Sequence, residues 1–357
     1  MRKLLVSSGT LSSGGAERVL SILSDKFVDF YDDVIYLTWY DVPDFYTINS
    51  DVRRICVERE CGSKNLIRWA LWFRRFIKKE NPNVILSFLA GFNVLISFCL
   101  LGLRNKLIVA ERNDPRYIWN GKLTRIIRKI AYLRADGILE QTENNKAYFH
   151  GKLLKKTDVI YNPIIMSEDY LGKALKIPKE KRIVSIVRLT KQKNIEMLLY
   201  AFRDFRKTHS DYTLTIYGKG PYRGTIERMV SELGLSEFVY MPGAVKNVWD
   251  KVVDAKCFVI SSWYEGMPNA LMEAMCLGLP CISTKVSGAV DLIQDNTNGM
   301  LVDLNDSHSM AMAMCKIVEN DTYSEEIAKR AVNIYKELNY DVISNQWIQY
   351  LDKIENI

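Results

Sequence analysis

The sequence predicts an α/β protein built as two Rossmann-like domains, each a parallel sheet covered by helices. Three observations lead there: a length of 357 residues, short β-branched runs alternating with helical stretches, and a restart of that alternation near the middle. At about 150 residues per domain, the length suggests two cores with a cleft between them. Hydrophobic residues at 48% and charged residues at 25% are ordinary for a globular chain, which excludes a disordered or fibrous class.

In the first half, the runs 3–7, 33–38, 52–57, 83–88, 106–110 and 137–141 read as strands. Runs such as VILSF and LIVA are apolar throughout, as in parallel strands buried on both faces. After Tyr161-Asn162-Pro163 periodicity fades, and residues 161–180 read as a linker. New strands follow at 182–187, 213–217, 238–241, 257–261 and 281–284, and a last helix at 342–354 either caps the second sheet or crosses back to the first domain. This places an N-terminal domain at 1–165, a C-terminal domain at 166–340 and a final helical segment at 341–357.

The amino-terminal run is too short for a signal peptide and reads as a first strand. The apolar stretch 92–103 is shorter than a membrane span and reads as a buried helix. Seven scattered cysteines without C-x-x-C suggest reduced thiols and a cytoplasmic setting. The net charge of +7 is asymmetric, with 26 basic against 17 acidic residues up to residue 165 and 23 against 25 beyond it. The N-terminal half therefore faces any anionic partner; no nucleic-acid module is present, which leaves an anionic membrane or a phosphorylated lipid.

Three loops carry the chemistry. The turn Ser12-Ser13-Gly14-Gly15-Ala16-Glu17-Arg18 leads from a strand into a helix, where glycine backbone and the positive helix end suit a phosphate. Arg188-Leu189-Thr190-Lys191-Gln192-Lys193 follows a strand and sets two cations at the mouth of the second sheet, which suits a diphosphate. Glu265-Gly266-Met267-Pro268-Asn269 opens a helix that carries Glu273, so one carboxylate lies on the loop, suited to sugar hydroxyls, and one farther along the helix, suited to a ribose diol. Each also has an ordinary structural reading, as a tight turn, a solvated basic loop or a helix-start carboxylate.

With SGGAER, RLTKQKN, IYGKGP, EGMPNALME, KVSGAVDLI and NGMLV in this order, the chain resembles the retaining glycosyltransferases of family 4, of the GT-B fold, over most of its length. The resemblance implies two Rossmann-like domains with parallel sheets facing a central cleft. It implies that Arg188 and Lys193 bind the donor diphosphate, Glu273 the ribose, and Glu265, Gly266, Met267, Pro268 and Asn269 the transferred sugar, with Gly15 and Gly218 completing the donor set. Glu265, Arg188 and Lys193 are then the catalytic candidates, and Glu17, Arg18, Arg112 and Asn113 the acceptor side. Where close relatives often carry Glu-His, this chain has Glu111-Arg112, and Gly288-Ala289-Val290-Asp291 replaces the commoner Gly-x-Pro-Glu.

Within the family the chain looks most like bacterial enzymes that extend lipid-linked oligosaccharides or capsular repeats. The implied reaction moves a hexose or N-acetylhexosamine from a nucleotide-diphosphate sugar, UDP by analogy, to a lipid-diphosphate-linked saccharide. No Asp-x-Asp occurs, so the expectation is a metal-independent transfer without a cofactor. A non-hydrolysing sugar-nucleotide epimerase and a silent scaffold subunit of a polysaccharide-assembly complex remain as alternatives.

Two helices suggest a membrane-facing surface on the inner face of the cell membrane. In 64–79, Leu66, Trp69, Ala70, Phe73 and Ile77 share one face and Arg68, Arg75 and Lys79 the other, with Leu71 and Trp72 flanking the basic face. In 122–134, Leu123, Ile126, Ile127 and Ile130 oppose Arg125, Arg128 and Lys129, which repeats that design.

Overall fold

A computed structural model describes residues 1–12 and 14–356; Ser13, one position of the glycine-rich turn, and Ile357 lie outside the described residues. The chain divides into two compact units, one formed by residues 1–163 with 340–357 and the other by residues 164–339. The helices of nine residues or more are α1 (Gly15–Phe27), α2 (Leu66–Glu80), α3 (Ala90–Cys99), α4 (Lys122–Leu133), α5 (Ile195–Phe205), α6 (Arg223–Glu232), α7 (Asn269–Leu277), α8 (Ser307–Glu319), α9 (Asp321–Ala331) and α10 (Tyr340–Glu355). None of the described helices is long and apolar enough to cross a membrane.

The first unit is built on seven parallel strands: β1 (Lys3–Ser8), β2 (Asp33–Thr38), β3 (Val52–Cys56), β4 (Val84–Phe88), β5 (Lys106–Ala110), β6 (Gly137–Glu140) and β7 (Thr157–Val159). Their order is β3-β2-β1-β4-β5-β6-β7, with Val6 of β1 opposite Tyr36 on one side and Leu86 on the other. All five residues of VILSF are buried, which is why that run reads as apolar without alternation. Trp39 organises the core, stacking on Phe92 at 5.0 Å while its indole N–H donates to Ser7 Oγ at 2.9 Å. Although last in the chain, α10 belongs to this unit: Ile343, Trp347, Leu351 and Ile354 are buried, and Arg2 donates to Glu355 at 2.8 Å.

The second unit has six parallel strands, β8 (Glu180–Ile186), β9 (Thr213–Tyr217), β10 (Val239–Gly243), β11 (Ala255–Ile260), β12 (Cys281–Thr284) and β13 (Met300–Val302), in the order β10-β9-β8-β11-β12-β13. In both sheets the direction of winding reverses once, between β1 and β4 in the first and between β8 and β11 in the second. In open α/β sheets a crevice forms at that reversal, outside the carboxyl ends of the strands, so the order itself marks the crevice of each unit.

Four expectations need correction. The stretch 161–180 is not a free linker, because residues from 164 onward pack on the second unit: Gly172 N–H donates to Cys276 O at 2.9 Å and Ala174 is fully buried. Leu66 faces solvent rather than the core, since it lies in the first turn of α2 and the buried row is Trp69, Phe73 and Ile77. The stretch 92–103 is not buried throughout, because Phe98 and Leu101 are exposed where α3 ends.

The larger correction concerns α4, where Arg128 turns inward while Arg125 and Lys129 stay exposed and most of the apolar face is left outside. Leu123, Ile126, Ile130 and Leu133 are exposed, Leu123 at 69%, whereas Arg128 is buried. A buried guanidinium is tolerable only when its donors are satisfied. Arg128 donates to Ile118 O at 3.1 Å, to Pro115 O at 3.0 Å and to Tyr148 OH, and lies 3.8 Å from the buried Glu111 carboxylate. Arg128, Ala131 and Tyr132 therefore form the inward row with Ile127 partly buried beside them, and Leu123, Ile126, Ile130 and Leu133 are left outside.

Candidate functional site

The carboxyl edge of the second sheet gathers three loops. Beyond β8 the backbone stays paired with the loop after β9: Val187 N–H donates to Tyr217 O at 2.9 Å and Leu189 N–H to Lys219 O at 3.1 Å. This close approach requires glycine. Gly218 sits at φ +140°, where a Cβ would lie 1.8 Å from Val187 O, and a Cβ on Gly220 would lie 2.2 Å from Leu189 O. Arg188 is exposed on this loop, and its guanidinium makes no hydrogen bond or ion pair among the described residues. The loop then tightens through Lys191–Lys193 into Asn194, whose left-handed φ of 45° suits asparagine, and α5 begins.

From the adjacent strand β11 comes the acidic partner. The Lys193 ammonium pairs with Glu265 Oε1, and Ser262 Oγ donates to the same oxygen at 2.7 Å. The two loops are laced further by Ser261 Oγ to Lys193 O at 3.0 Å, Trp263 N–H to Gln192 O at 2.8 Å and Gln192 Nε2 to Tyr264 O at 2.8 Å. Both bonds to Glu265 fall on Oε1, so Oε2 accepts no hydrogen bond among the described residues. Glu265 is nevertheless buried, which fixes the carboxylate in position.

After Glu265, residues Gly266-Met267-Pro268 run under the turn after β12 and into α7, which starts at Asn269 with Pro268 as its N-cap. A Cβ on Gly288 would lie 2.4 Å from Gly266 O, 2.6 Å from Pro268 Cδ and 2.8 Å from Met267 Cα, so this backbone stacks directly on backbone. Glu273 is the fifth residue of α7 and is buried despite its charge. The structure thus brings Lys193, Glu265, Gly266, Met267 and Pro268 together at the switch point of the second sheet, with Gly218 beside the Arg188 loop and Asn269 at the helix start. Sequence reasoning missed Ser262 and Gly220 as supports; the Gly-x-Gly spacing signalled the second, and nothing local signalled the first.

The first unit has its own cluster at the same edge. Gly14 caps α1 and Gly15 starts it; Glu17 in the first turn folds back over Gly14, and Thr10 Oγ1 donates to it at 3.3 Å. Arg18 follows on the helix, its backbone N–H bonded to Gly14 O at 3.0 Å. From β5, Arg112 lies over the Phe88 ring at 4.5 Å and donates to Asn162 Oδ1, so it is a half-buried, oriented cation rather than a free one. Burial lowers its affinity for a proton, while the charges of Glu140 and Glu17 act the other way. Asn113 turns inward on its own loop, accepting from Asp114 N–H at 2.9 Å.

Two buried acids flank this loop. Burial pushes the Glu111 carboxyl up, Arg128 opposes that, and Tyr132 OH donates to it. Glu140, at the end of β6, is pushed well above the carboxylate range by burial and by the nearby Glu111 charge. At the reversal itself, Leu89 between β4 and α3 holds φ 79°, a conformation that a branched side chain rarely adopts. Nothing in the sequence marked Leu89.

Residues 167–334, nearly the whole of the second unit, match the family described as Glycosyl transferases group 1. The second unit is similar to group 1 glycosyltransferase domains over nearly its whole length. The glycosyltransferase resemblance also extends over the full chain. An alpha-1,4-N-acetyl-D-galactosaminyltransferase of Campylobacter jejuni, named for the substrate GalNAc-alpha-(1->4)-GalNAc-alpha-(1->3)-diNAcBac-PP-undecaprenol, is 26% identical over all of both chains. An N-acetylgalactosamine-N,N'-diacetylbacillosaminyl-diphospho-undecaprenol 4-alpha-N-acetylgalactosaminyltransferase of the same organism is 26% identical over 98% of this chain and 100% of its own. Among solved structures, HepE of Anabaena in complex with UDP and glucose superposes with a TM-score of 0.82 at 18% identity, covering 99% of this chain and 100% of the other. Sucrose-phosphate synthase of Thermosynechococcus elongatus gives 0.84 at 18% identity over 99% of each. The fold of this glycosyltransferase-like chain is GT-B, two α/β units with parallel sheets of seven and six strands.

Proposed function

We propose that the chain is a retaining glycosyltransferase that moves a hexose or N-acetylhexosamine from a UDP-sugar to a lipid-diphosphate-linked saccharide in cell-surface glycan assembly. The observation that carries this reading is the Lys193–Glu265 pair at the switch point of the glycosyltransferase domain, set against a backbone held close by Gly218, Gly220 and Gly288. An ammonium has three donors and Glu265 takes one, so two remain for diphosphate oxygens; Arg188, exposed on the same loop, adds a second cation. Glu265 Oε2 is then aimed to accept from a hydroxyl of the transferred sugar, and Glu273 from the ribose. The undecaprenol-linked substrates in the names of the Campylobacter relatives support the choice of acceptor class, and the UDP complexes of structural neighbours the choice of nucleotide.

In the reaction the anomeric C–O bond to the diphosphate breaks as the acceptor oxygen bonds to the same face. The acceptor proton passes to the leaving phosphate oxygen. Arg188, Lys193 and the amino end of α7 stabilise the charge that develops on that oxygen. On the first unit, Gly15 and the amino end of α1 suit a phosphate, and Glu17, Arg18, Arg112 and Asn113 orient the saccharide.

Isothermal titration with UDP and with uridine tests the assignment. Arg188→Ala and Lys193→Ala are each expected to weaken UDP by roughly one to two decades, since a charge-assisted phosphate contact contributes about 1.5–3 kcal/mol, and to leave uridine unchanged. Equal losses for both ligands would remove Arg188 and Lys193 from the diphosphate site. The cations replace a metal in this scheme. Turnover is therefore expected to persist in chelator, and activity that returns only with Mg²⁺ or Mn²⁺ would contradict it.

A lipid-linked acceptor supports a docking of the first unit on the cytoplasmic leaflet of the cell membrane. Exposed Ile67 and Leu71 on α2, Phe98 and Leu101 at the end of α3, and Leu123, Ile126, Ile130 and Leu133 on α4 lie among exposed Arg68, Arg75, Lys79, Lys122, Arg125 and Lys129. Arg74 ties α2 to the end of α3 through Leu101 O at 2.9 Å, and Arg134 ties the end of α4 to Leu103 O at 2.9 Å, so the three helices form one layer. Apolar side chains among cations are the composition of an interfacial surface. Each cation near an anionic leaflet contributes about 1 kcal/mol and is screened by salt. Cosedimentation with vesicles rich in anionic phospholipid is expected at low salt, and to decline in Arg68/Arg75/Lys79→Glu and in Ile126/Ile130→Ser. Wild-type protein that stays in the supernatant would exclude the membrane.

A further inference from the structure

The glycosyltransferase domain carries a second cluster of ligating side chains that the transfer reaction does not use. His209 lies just beyond the carboxyl end of α5, and Cys315 and Glu319 lie four residues apart on α8, one turn of helix and therefore one face. His209 Nδ1 is 3.8 Å from Cys315 Sγ, and His209 Nε2 is 3.3 Å from Glu319 Oε1. One ligand atom from each residue lies within 4.8 Å of the others. The ring is held in place by Phe205, stacked on it at 4.7 Å with the planes 2° apart, and by Thr208 Oγ1, 2.9 Å from Nδ1.

We infer that His209, Cys315 and Glu319 form a binding site for a zinc-class divalent ion that fastens the end of α5 to α8. The donor set of one imidazole, one thiolate and one carboxylate suits zinc, with a remaining position for water. Bond lengths of about 2.0–2.3 Å require the ligands to close on the ion, and one imidazole nitrogen serves it. Glu319, exposed at the last position of α8, supplies that movement, while the histidine ring is already oriented.

Access sets Cys315 apart from the other thiols. Cys56, Cys99, Cys257, Cys276 and Cys281 are buried, whereas Cys61 and Cys315 are half-buried, and Cys315 has the imidazole beside it. The site sits at the opposite end of α5 from Lys193 and Asn194 and contains none of the donor residues, so it acts on the packing of the domain.

Cobalt(II) titration of the full chain, stripped of metal and kept reduced, tests the inference through the thiolate-to-cobalt charge-transfer absorption. The expected result is saturation at one ion per chain, displacement by zinc, loss of the band in Cys315→Ser and its retention in Cys61→Ser. Glu319→Gln, at an exposed position that does not threaten folding, is expected to weaken cobalt at least about tenfold, since loss of a ligand costs no less than loss of an outer partner. Zinc is expected to raise the melting temperature of the wild type and not of Cys315→Ser. No charge-transfer band in the wild type at millimolar cobalt, a band that survives in Cys315→Ser, or unchanged affinity in Glu319→Gln would overturn the site.

Discussion

Glu265→Gln is expected to lower kcat by about a hundredfold or more while the KM for donor stays within about threefold. Glutamine keeps the volume and still accepts from Ser262 Oγ, which now sits 2.7 Å away, so the loop retains its shape. What is lost is the negative charge that holds the Lys193 ammonium and the acceptor strength of Oε2 toward a sugar hydroxyl. Lys193 keeps partial contact with water, so the unpaired cation destabilises the fold far less than breaking a fully buried pair would. Glu273→Gln is expected to differ in kind, weakening UDP binding with little change in kcat, because its proposed contact is to the ribose and is made equally in ground and transition states. Initial rates across donor concentration, with melting temperatures recorded beside them, separate the two effects. If both variants keep wild-type kcat and KM, neither carboxylate belongs to the site.

Gly288→Ala is expected to cost about 1–3 kcal/mol of stability and to weaken both donor binding and turnover. The added methyl meets Gly266 O, Met267 Cα and Pro268 Cδ at 2.4–2.8 Å, all backbone or ring atoms with no rotamer to yield. Relief must come from shifting the segment that joins Glu265 to α7, and displacements of about 1 Å in a positioned group are enough to lose catalysis. Gly224→Ala is the control, since a Cβ there meets nothing within 4 Å. It is expected to be neutral or slightly stabilising. Gly288→Ala with wild-type melting temperature and UDP affinity would show that this stacking does not position the site.

The sheets were legible because parallel strands buried on both faces leave unbroken apolar runs: the expected spans 33–38, 106–110, 213–217 and 281–284 are strands in the structure. β7 and β13 were not, because TDV and MLV are three residues long and carry no period. The orientation of α4 was misread for a different reason. Periodicity shows that two faces differ, but which face turns inward depends on partners elsewhere, and here Glu111, Tyr148 and two backbone carbonyls admit Arg128 to the interior. At the site, the residue types and spacing within each loop could be read directly. The pairing of Lys193 with Glu265 could not, because 72 residues separate them and only the adjacency of β8 and β11 brings them together.

The membership of α10 in the first unit fixes an order of events during synthesis. The second unit is one contiguous segment, so all of its contacts become available once residue 339 has emerged from the ribosome. The first unit is begun earlier and completed later, because the places taken by Trp347, Leu351 and Ile354 stay vacant until α10 is made. Loss of α10 would leave a fault in the unit whose other residues are farthest from it in sequence, while the second unit would be whole.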